Sequence, residues 1–258
     1  MSNLFDLSGK VALITGSSKG IGRAMAEEMA RHGASVVISS RKGDVCDEVA
    51  AAINNELAGQ PGQAIAIPAH VGRKEELERL VSETCSQLGK IDILICNAAV
   101  NPYYGPMSDM PDDAFDKVLD INIKSNHWLA QMVIPGMIER KDGSIMIVSS
   151  VGGIRGSDTL GAYCISKAAD VQLVRNLAVE VGQHNIRVNA ISPGLVRTDF
   201  ARALWENPEI LKERTIGDPL RRIGEPQEIA GIAVYLGSAA GSFTTGQNFV
   251  IDGGSTIC

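Results

Sequence analysis

The stretch KVALITGSSKGIG, residues 10–22, runs from an apolar strand-like segment through a glycine-rich turn into a helical pattern. Its glycines, Gly16, Gly20 and Gly22, have separable purposes. A tight turn after a strand needs one glycine, close backbone approach to a pyrophosphate needs a second, and close helix–strand packing needs a third. A strand before the turn and a helix after it are the context in which such a loop binds a dinucleotide; alone, the loop is only a glycine-rich turn.

Working outward, short apolar runs keep alternating with amphipathic ones. KVALIT (10–15), ASVVIS (34–39), QAIAIPA (63–69), IDILIC (91–96), SIMIVSS (144–150), IRVNAIS (186–192) and QNFVID (247–252) read as strands. They are nearly continuous in apolar residues, as strands covered on both faces are. Helical patterns fill about 20–32, 43–58, 73–88, 111–139, 160–182 and 226–238. Pro111, followed by Asp112 and Asp113, and Pro226 mark helix starts. Gly33, Gly59, Gly89 and Gly182 sit where helices should stop. This alternation predicts an α/β fold with a doubly wound parallel sheet and helices on both faces. One domain over 1–258 is expected. Residues 193–225, rich in Pro, Arg and large apolar side chains, break the rhythm, and a substrate lid is expected at about 195–220.

Apolar residues make up 45% and the net charge is −6, which disfavours nucleic acid and anionic membrane as partners. Five cysteines with no CxxC pair point to neither a disulfide framework nor a metal site, and fit a reducing compartment. MSNLFDLSGK does not read as a secretory signal, no apolar run predicts a membrane-spanning helix, and STIC at the end is not a peroxisomal address. A cytoplasmic location is expected.

The end of the second strand decides which dinucleotide fits. An acid there binds the adenosine ribose hydroxyls of NAD, but this chain has SSRKG at 39–43. Arg41 can grip a 2′-phosphate in its guanidinium fork, with Ser40 adding a hydroxyl and Lys19 another positive charge. That reading predicts NADP(H); the competing one makes Arg41 and Lys42 a solvated loop pair. Ser18 and Ile21 join the loop contacts. His70 and Val71 after the third strand and Asn97, Ala98 and Ala99 after the fourth also lie at carboxyl strand ends, where open α/β sheets bind ligands. His70 reads as adenine-pocket lining, against a loop histidine without chemistry.

In GAYCISKAAD (161–170), Tyr163 and Lys167 are four residues apart, one turn on a helix. Ser150 lies thirteen residues before Tyr163. A carbonyl oxygen receiving hydride needs a hydrogen-bond donor and then a proton. Ser150 can be the donor and Tyr163 the acid, provided an ammonium at Lys167 lowers a phenol pKa that is otherwise near ~10. A tyrosine–lysine pair by itself is ordinary helix-surface decoration; the glycine loop, NAA and the spaced serine together favour chemistry.

TGSSKGIG, NAA, Ser150, YCISK and Pro193–Gly194 together resemble the short-chain dehydrogenase/reductase family, in order and over nearly the whole chain. The resemblance implies a seven-stranded Rossmann sheet, a homotetramer, and a catalytic set of Asn122, Ser150, Tyr163 and Lys167. Asn122 would kink its helix and hold a water that joins Lys167 to solvent, and Lys167 would also bind the cofactor ribose. Pro193, Gly194, Val196 and Thr198 would meet the nicotinamide. Most members carry an aspartate where this chain has His70. That histidine, with SSRK, NAAVNPYYG and RRIGEP, is similar to the animal subgroup of NADP-dependent carbonyl reductases and retinol dehydrogenases called member 4, which reduces ketones and aldehydes.

Substrate would rest between Val100, Tyr103 and Tyr104, the segment from Ser150 to Gly152, and lid residues Leu195, Phe200, Leu204 and Trp205, the last three on one helical face. These side chains favour a hydrophobic carbonyl compound over a charged one, although the lid residues can equally be packing or subunit contacts. An NADPH-dependent reductase of ketones and aldehydes is expected. A 3-oxoacyl-carrier-protein reductase would share the catalytic set and would want basic residues at the pocket mouth, for which Arg155, Arg197 and Arg202 are candidates. A non-catalytic NADP-sensing protein is the third reading.

Overall fold

The computed structural model describes residues 3–258. Seven parallel strands form one sheet: β1 (Val11–Thr15), β2 (Ser35–Ser39), β3 (Gln63–Ala66), β4 (Ile93–Cys96), β5 (Gly143–Val148), β6 (Ile186–Pro193) and β7 (Asn248–Ile251). Their order across the sheet is β3-β2-β1-β4-β5-β6-β7. The expected doubly wound sheet is therefore present, and the winding reverses between β1 and β4. Crossovers leave that seam in opposite directions, which opens a crevice above the carboxyl ends of these two strands.

Helices α1 (Gly20–Arg31), α2 (Gly43–Glu56), α3 (Lys74–Leu88), α4 (Asp112–Leu119), α5 (Ser125–Arg140), α6 (Gly161–Val181), α7 (Pro208–Thr215) and α8 (Pro226–Gly237) cover the sheet and its lid edge. Alternate residues of β1 enter different cores. Ala12 and Ile14 pack with Met25, Met29 and Ala233 of α1 and α8, whereas Leu13 packs with Leu80, Leu129 and Val174 of α3, α5 and α6. With both faces covered, every residue of β1, β4 and β5 is buried, which explains the unbroken apolar runs.

Some expected boundaries move. β3 ends at Ala66 rather than at 69, although the Ile67 and Ala69 amides still donate to the Ile38 and Ser40 carbonyls; Pro68 falls at the outward-facing position of this edge strand, where no ladder donor is needed. Gly33, Gly59 and Gly89 take positive φ past their helices as expected. Gly182 does not: α6 runs on through a 3-10 turn, Gly182–His184, and Asn185 takes the left-handed position at φ 60. The expected helix over 111–139 is interrupted by a π turn, Asp120–Lys124, between α4 and α5. Among the described residues no helix is long and apolar enough to cross a membrane.

Candidate active site

A continuous cleft of about 1150 Å³ runs over the carboxyl ends of the central strands. At one end lie Gly16, Ser18, Lys19, Gly20 and Ile21, with Ser40, Arg41 and His70; at the other lie Ser150, Tyr163 and Lys167. Residues far apart in the sequence meet here because every strand delivers its following loop to the same edge.

The glycine loop is built to bring backbone close. Gly16 and Gly20 have φ of 65 and 58, a region costly for residues with a Cβ. A Cβ on Gly16 would also lie 2.9 Å from Asn97 Nδ2. Gly22 does not line the cleft; as the third glycine of the loop it permits packing, since a Cβ there would sit 2.5 Å from Asn97 Nδ2 and 2.6 Å from the Gly16 carbonyl oxygen. Asn97 Nδ2 donates to the carbonyls of Thr15 and Gly16, and Thr15 Oγ1 accepts from the Asn97 and Ala98 amides. The NAA segment thus braces the loop from β4. α1 then begins with no side-chain cap and no acid in its first turn, so its free N–H groups and dipole favour an anion. This cradle fits the pyrophosphate of a dinucleotide. Gly22→Ala is expected to disturb it at both contacts, weakening dinucleotide binding and costing about 1–3 kcal/mol of stability as overpacking. Calorimetric titration and thermal unfolding of the variant check this; unchanged values in both would refute the packing account.

At the tip of β2, Arg41 is exposed, lines the cleft and forms no ion pair among the described residues. Lys19 lines the cleft and its exposed ammonium pairs with Asp199 Oδ2 at 3.1 Å in the segment after β6, while Lys42 is a further cation beside Arg41. His70 lines the same region. Its Nδ1 accepts from the Gly72 amide at 3.1 Å, so the neutral ring carries its proton on Nε2.

The chemical end is assembled from β5, α6 and the π turn. Ser149 Oγ donates to the Lys167 carbonyl at 2.7 Å and clamps α6 against the end of β5. Ser150 caps a 3-10 turn, Val151–Gly153, accepting from the Gly152 amide while its side chain lines the cleft. Tyr163 is half-buried, with its ring centroid 5.7 Å from Lys167 Nζ and 5.9 Å from that of Phe200. Asn122, buried in the π turn, accepts from the Val100 amide at Oδ1 and donates from Nδ2 to the Val100 carbonyl and Ser166 Oγ. It fastens the loop after β4 to α6.

Lys167 is 2% exposed and Asp170, a residue to which sequence reasoning gave no role, is fully buried. Lys167 Nζ donates to Asp170 Oδ2 at 3.0 Å and to the Val148 carbonyl at 2.8 Å. Asn126 Nδ2 donates to Asp170 Oδ1 at 2.9 Å and to the Asn122 carbonyl at 2.7 Å. The Tyr163 pKa is raised overall, although Lys167 pulls it in the expected direction. Withdrawal from water pushes the phenol up; Lys167 and Ser150 pull it down, and Asp170 adds to the rise. Burial pulls the Lys167 pKa down, but Asp170 and Tyr163 together hold it above the usual value, so the ammonium stays charged. Asp170 carried no signal except an acid in an otherwise apolar helix stripe.

The residues expected around a substrate divide by whether they border the cleft. Val100, Tyr104, Gly152, Leu195, Phe200 and Leu204 line the cleft. Tyr103 and Trp205 do not. The Tyr103 hydroxyl turns back to the Pro106 carbonyl at 3.1 Å, and Trp205 Nε1 donates to the Thr198 carbonyl while Arg197 lies over its ring. Leu204 ends a 3-10 turn, Arg202–Leu204, too short for the single helical face the sequence implied. Pro193, Gly194, Val196 and Thr198 all border the cleft, with Val71, Ala98 and Ala99.

The family model described as "Enoyl-(Acyl carrier protein) reductase" matches residues 16–256. The chain is 43% identical over 249 residues to bovine (Bos taurus) "Dehydrogenase/reductase SDR family member 4", covering 96% of this chain and 88% of that protein. It is 37% identical, with a TM-score of 0.90 and 98% of each chain covered, to a 7α-hydroxysteroid dehydrogenase crystallised with NADH and 7-oxo glycochenodeoxycholic acid. It is 29% identical, with a TM-score of 0.93 and 99% and 98% covered, to a Burkholderia cenocepacia gluconate 5-dehydrogenase in complex with NADP and tartrate.

Proposed function

The chain belongs to the short-chain dehydrogenase/reductase family, and from that premise we propose that it is an NADPH-dependent reductase of hydrophobic ketones and aldehydes. Membership makes it an oxidoreductase acting on CH–OH and C=O groups with a nicotinamide cofactor and a small-molecule substrate. The observation that carries the finer reading is the single cleft joining Arg41 and the glycine cradle to Ser150, Tyr163 and Lys167 under Phe200 and Leu204.

The bound dinucleotide supplies hydride to the substrate carbonyl carbon. Arg41 binds the 2′-phosphate, and the α1 N-terminus with the Gly16–Gly20 backbone binds the pyrophosphate. Ser150 donates a hydrogen bond to the carbonyl oxygen and holds it as charge develops. Tyr163 gives that oxygen its proton. The Lys167 ammonium, with one N–H left after Val148 and Asp170, lies 5.7 Å from the Tyr163 ring centroid; it would donate to the ribose of a bound dinucleotide and stabilise the phenolate left behind. Asn122 keeps the substrate loop and α6 in register through Val100 and Ser166. Excluding water around the half-buried phenol strengthens each of these interactions. The cofactor preference rests on Arg41 and on the absence of an acid from the β2 tip.

The rival carrier-protein reading has less support in the charges around the cleft. Two of its three basic candidates are already paired: Arg197 with Glu225 at 2.9 Å and Arg202 with Asp199 at 3.1 Å. Only Arg155 of the three lines the cleft. A direct test is NADPH oxidation with a panel of aryl ketones, α-diketones, aldehydes, and acetoacetyl and crotonyl thioesters. Ketones and aldehydes should be turned over with higher kcat/KM than either thioester. A thioester preference would replace the proposal with the carrier-linked one, and binding of NADPH without turnover of any compound would favour a sensor.

A further inference from the structure

Beneath the reacting groups lies a buried carboxylate that the proposed reaction does not use. Asp170 stands one turn beyond Lys167 on α6, wholly shielded from solvent. Each of its oxygens has a partner, the Lys167 ammonium on one and the Asn126 amide on the other. Asn126 in turn holds the main-chain carbonyl of Asn122 in the π turn. An unbroken hydrogen-bonded line therefore runs from the π turn through Asn126 and Asp170 to Lys167, and ends at the Val148 carbonyl on β5.

A lone ammonium buried this deeply beside a phenol would strongly favour phenolate, because charges interact over several ångströms in a poorly solvated interior. Asp170 opposes that pull. With the phenol protonated, Tyr163, Lys167 and Asp170 are together neutral; losing the phenolic proton leaves a net negative charge under the site.

We infer that Asp170 is a positioning residue that seats Lys167 as a neutral buried ion pair and so keeps Tyr163 in its proton-bearing form, disposing the site towards delivering a proton. This rests on the reading of Tyr163 as the proton donor and deepens it. The neighbouring titratable groups do not duplicate the effect. Burial and Asp170 both push the Cys96 thiol on β4 up, leaving it neutral at ordinary pH. Burial likewise raises Cys164 on α6. Lys117, Arg155, Arg214 and Asp218 border the cleft mouth, the first three exposed and screened by water. Asp199 on the lid is exposed and paired with Lys19. Asp170 is the carboxylate that touches Lys167 directly.

The test is a spectrophotometric titration of tyrosinate that needs neither substrate nor turnover. Each protein is measured against its own Tyr163→Phe counterpart, so the other three tyrosines cancel. Asp170→Asn, which keeps the size and removes the charge, should let Tyr163 ionise about one to two pH units lower than in the unaltered protein. Equal midpoints, or a higher one in the variant, would overturn the inference. If Asp170→Asn does not fold, the exchange Asn126→Asp/Asp170→Asn keeps one amide and one carboxylate in the pair. It moves the charge one hydrogen bond further from Lys167, so the midpoint should still fall; a midpoint at or above that of the unaltered protein overturns the inference equally. With substrate, the alkaline limb of kcat/KM for reduction should move down with the spectroscopic midpoint. A protein that reduces nothing in the carbonyl panel yet shows the titration shift would sink the proposed function and leave the role of Asp170 standing.

Discussion

Tyr163→Phe is expected to lower kcat for carbonyl reduction by about a hundred- to ten-thousand-fold, the usual contribution of a positioned general acid. NADPH binding should survive within about threefold, because the variant removes one hydroxyl and leaves the glycine cradle, Arg41 and the Lys167–Asp170 pair in place. The ring would keep its contact with Phe200, so the fold and lid are not expected to change. The informative result is the split: kcat falls while cofactor affinity, read by fluorescence or calorimetric titration, holds. Normal turnover in this variant would transfer the proton-donor role to another group. Loss of cofactor binding together with activity would show that the phenol serves the fold instead.

The second large effect is on cofactor choice. Arg41 is exposed at the tip of β2 with no carboxylate partner among the described residues, so its charge is available to a ligand phosphate. A charge-assisted hydrogen bond of about 1.5–3 kcal/mol corresponds to roughly ten- to hundredfold in affinity. Arg41→Asp removes that bond and opposes the 2′-phosphate with a like charge. KM for NADPH should therefore rise by at least about tenfold, while NADH is spared or improved because a carboxylate can accept from both ribose hydroxyls. Lys42, alongside, sets a floor to the loss. Steady-state kinetics with both cofactors at fixed carbonyl substrate decide it, and an undiminished NADPH preference would remove Arg41 from the site.

The parts of the molecule that were legible in the sequence are those whose signals are local. Strand runs such as ILIC and the IMIV of β5 are apolar throughout because helices cover both faces, and that pattern needs no knowledge of which helix does the covering. Gly16, Gly20 and Gly22 announce a cradle because their spacing reflects the turn itself. The convergence of Arg41, Ser150 and Tyr163 was also readable, since carboxyl strand ends share one edge in any such sheet. Errors arose where a side chain had a choice of partner. Tyr103 and Tyr104 are adjacent and alike in composition, but one hydroxyl bonds the Pro106 carbonyl while the other borders the cleft. Trp205 reads as a pocket wall in the sequence, but it lies off the cleft and donates to the Thr198 carbonyl. Lys19 lines the cleft as its position implies, and also reaches Asp199, an acid 180 residues away that no local signal pairs with it.

By itself, then, the sequence determined the winding of the sheet, the edge at which the cleft forms and the residue types gathered there, because hydrophobic period and glycine spacing are properties of consecutive residues. Only the tertiary structure decided the electrostatics of the reacting pair. Seen along the chain, Lys167 is a cation one turn from a phenol and should lower its pKa. In the folded chain the same helix buries Lys167 fully and half-buries Tyr163, where withdrawal from water raises the phenol and Asp170 opposes the pull of the lysine. Desolvation depends on everything packed around a group, and here that includes β4, the π turn and Phe200 as well as the nearer β5, most of them far from Tyr163 in sequence.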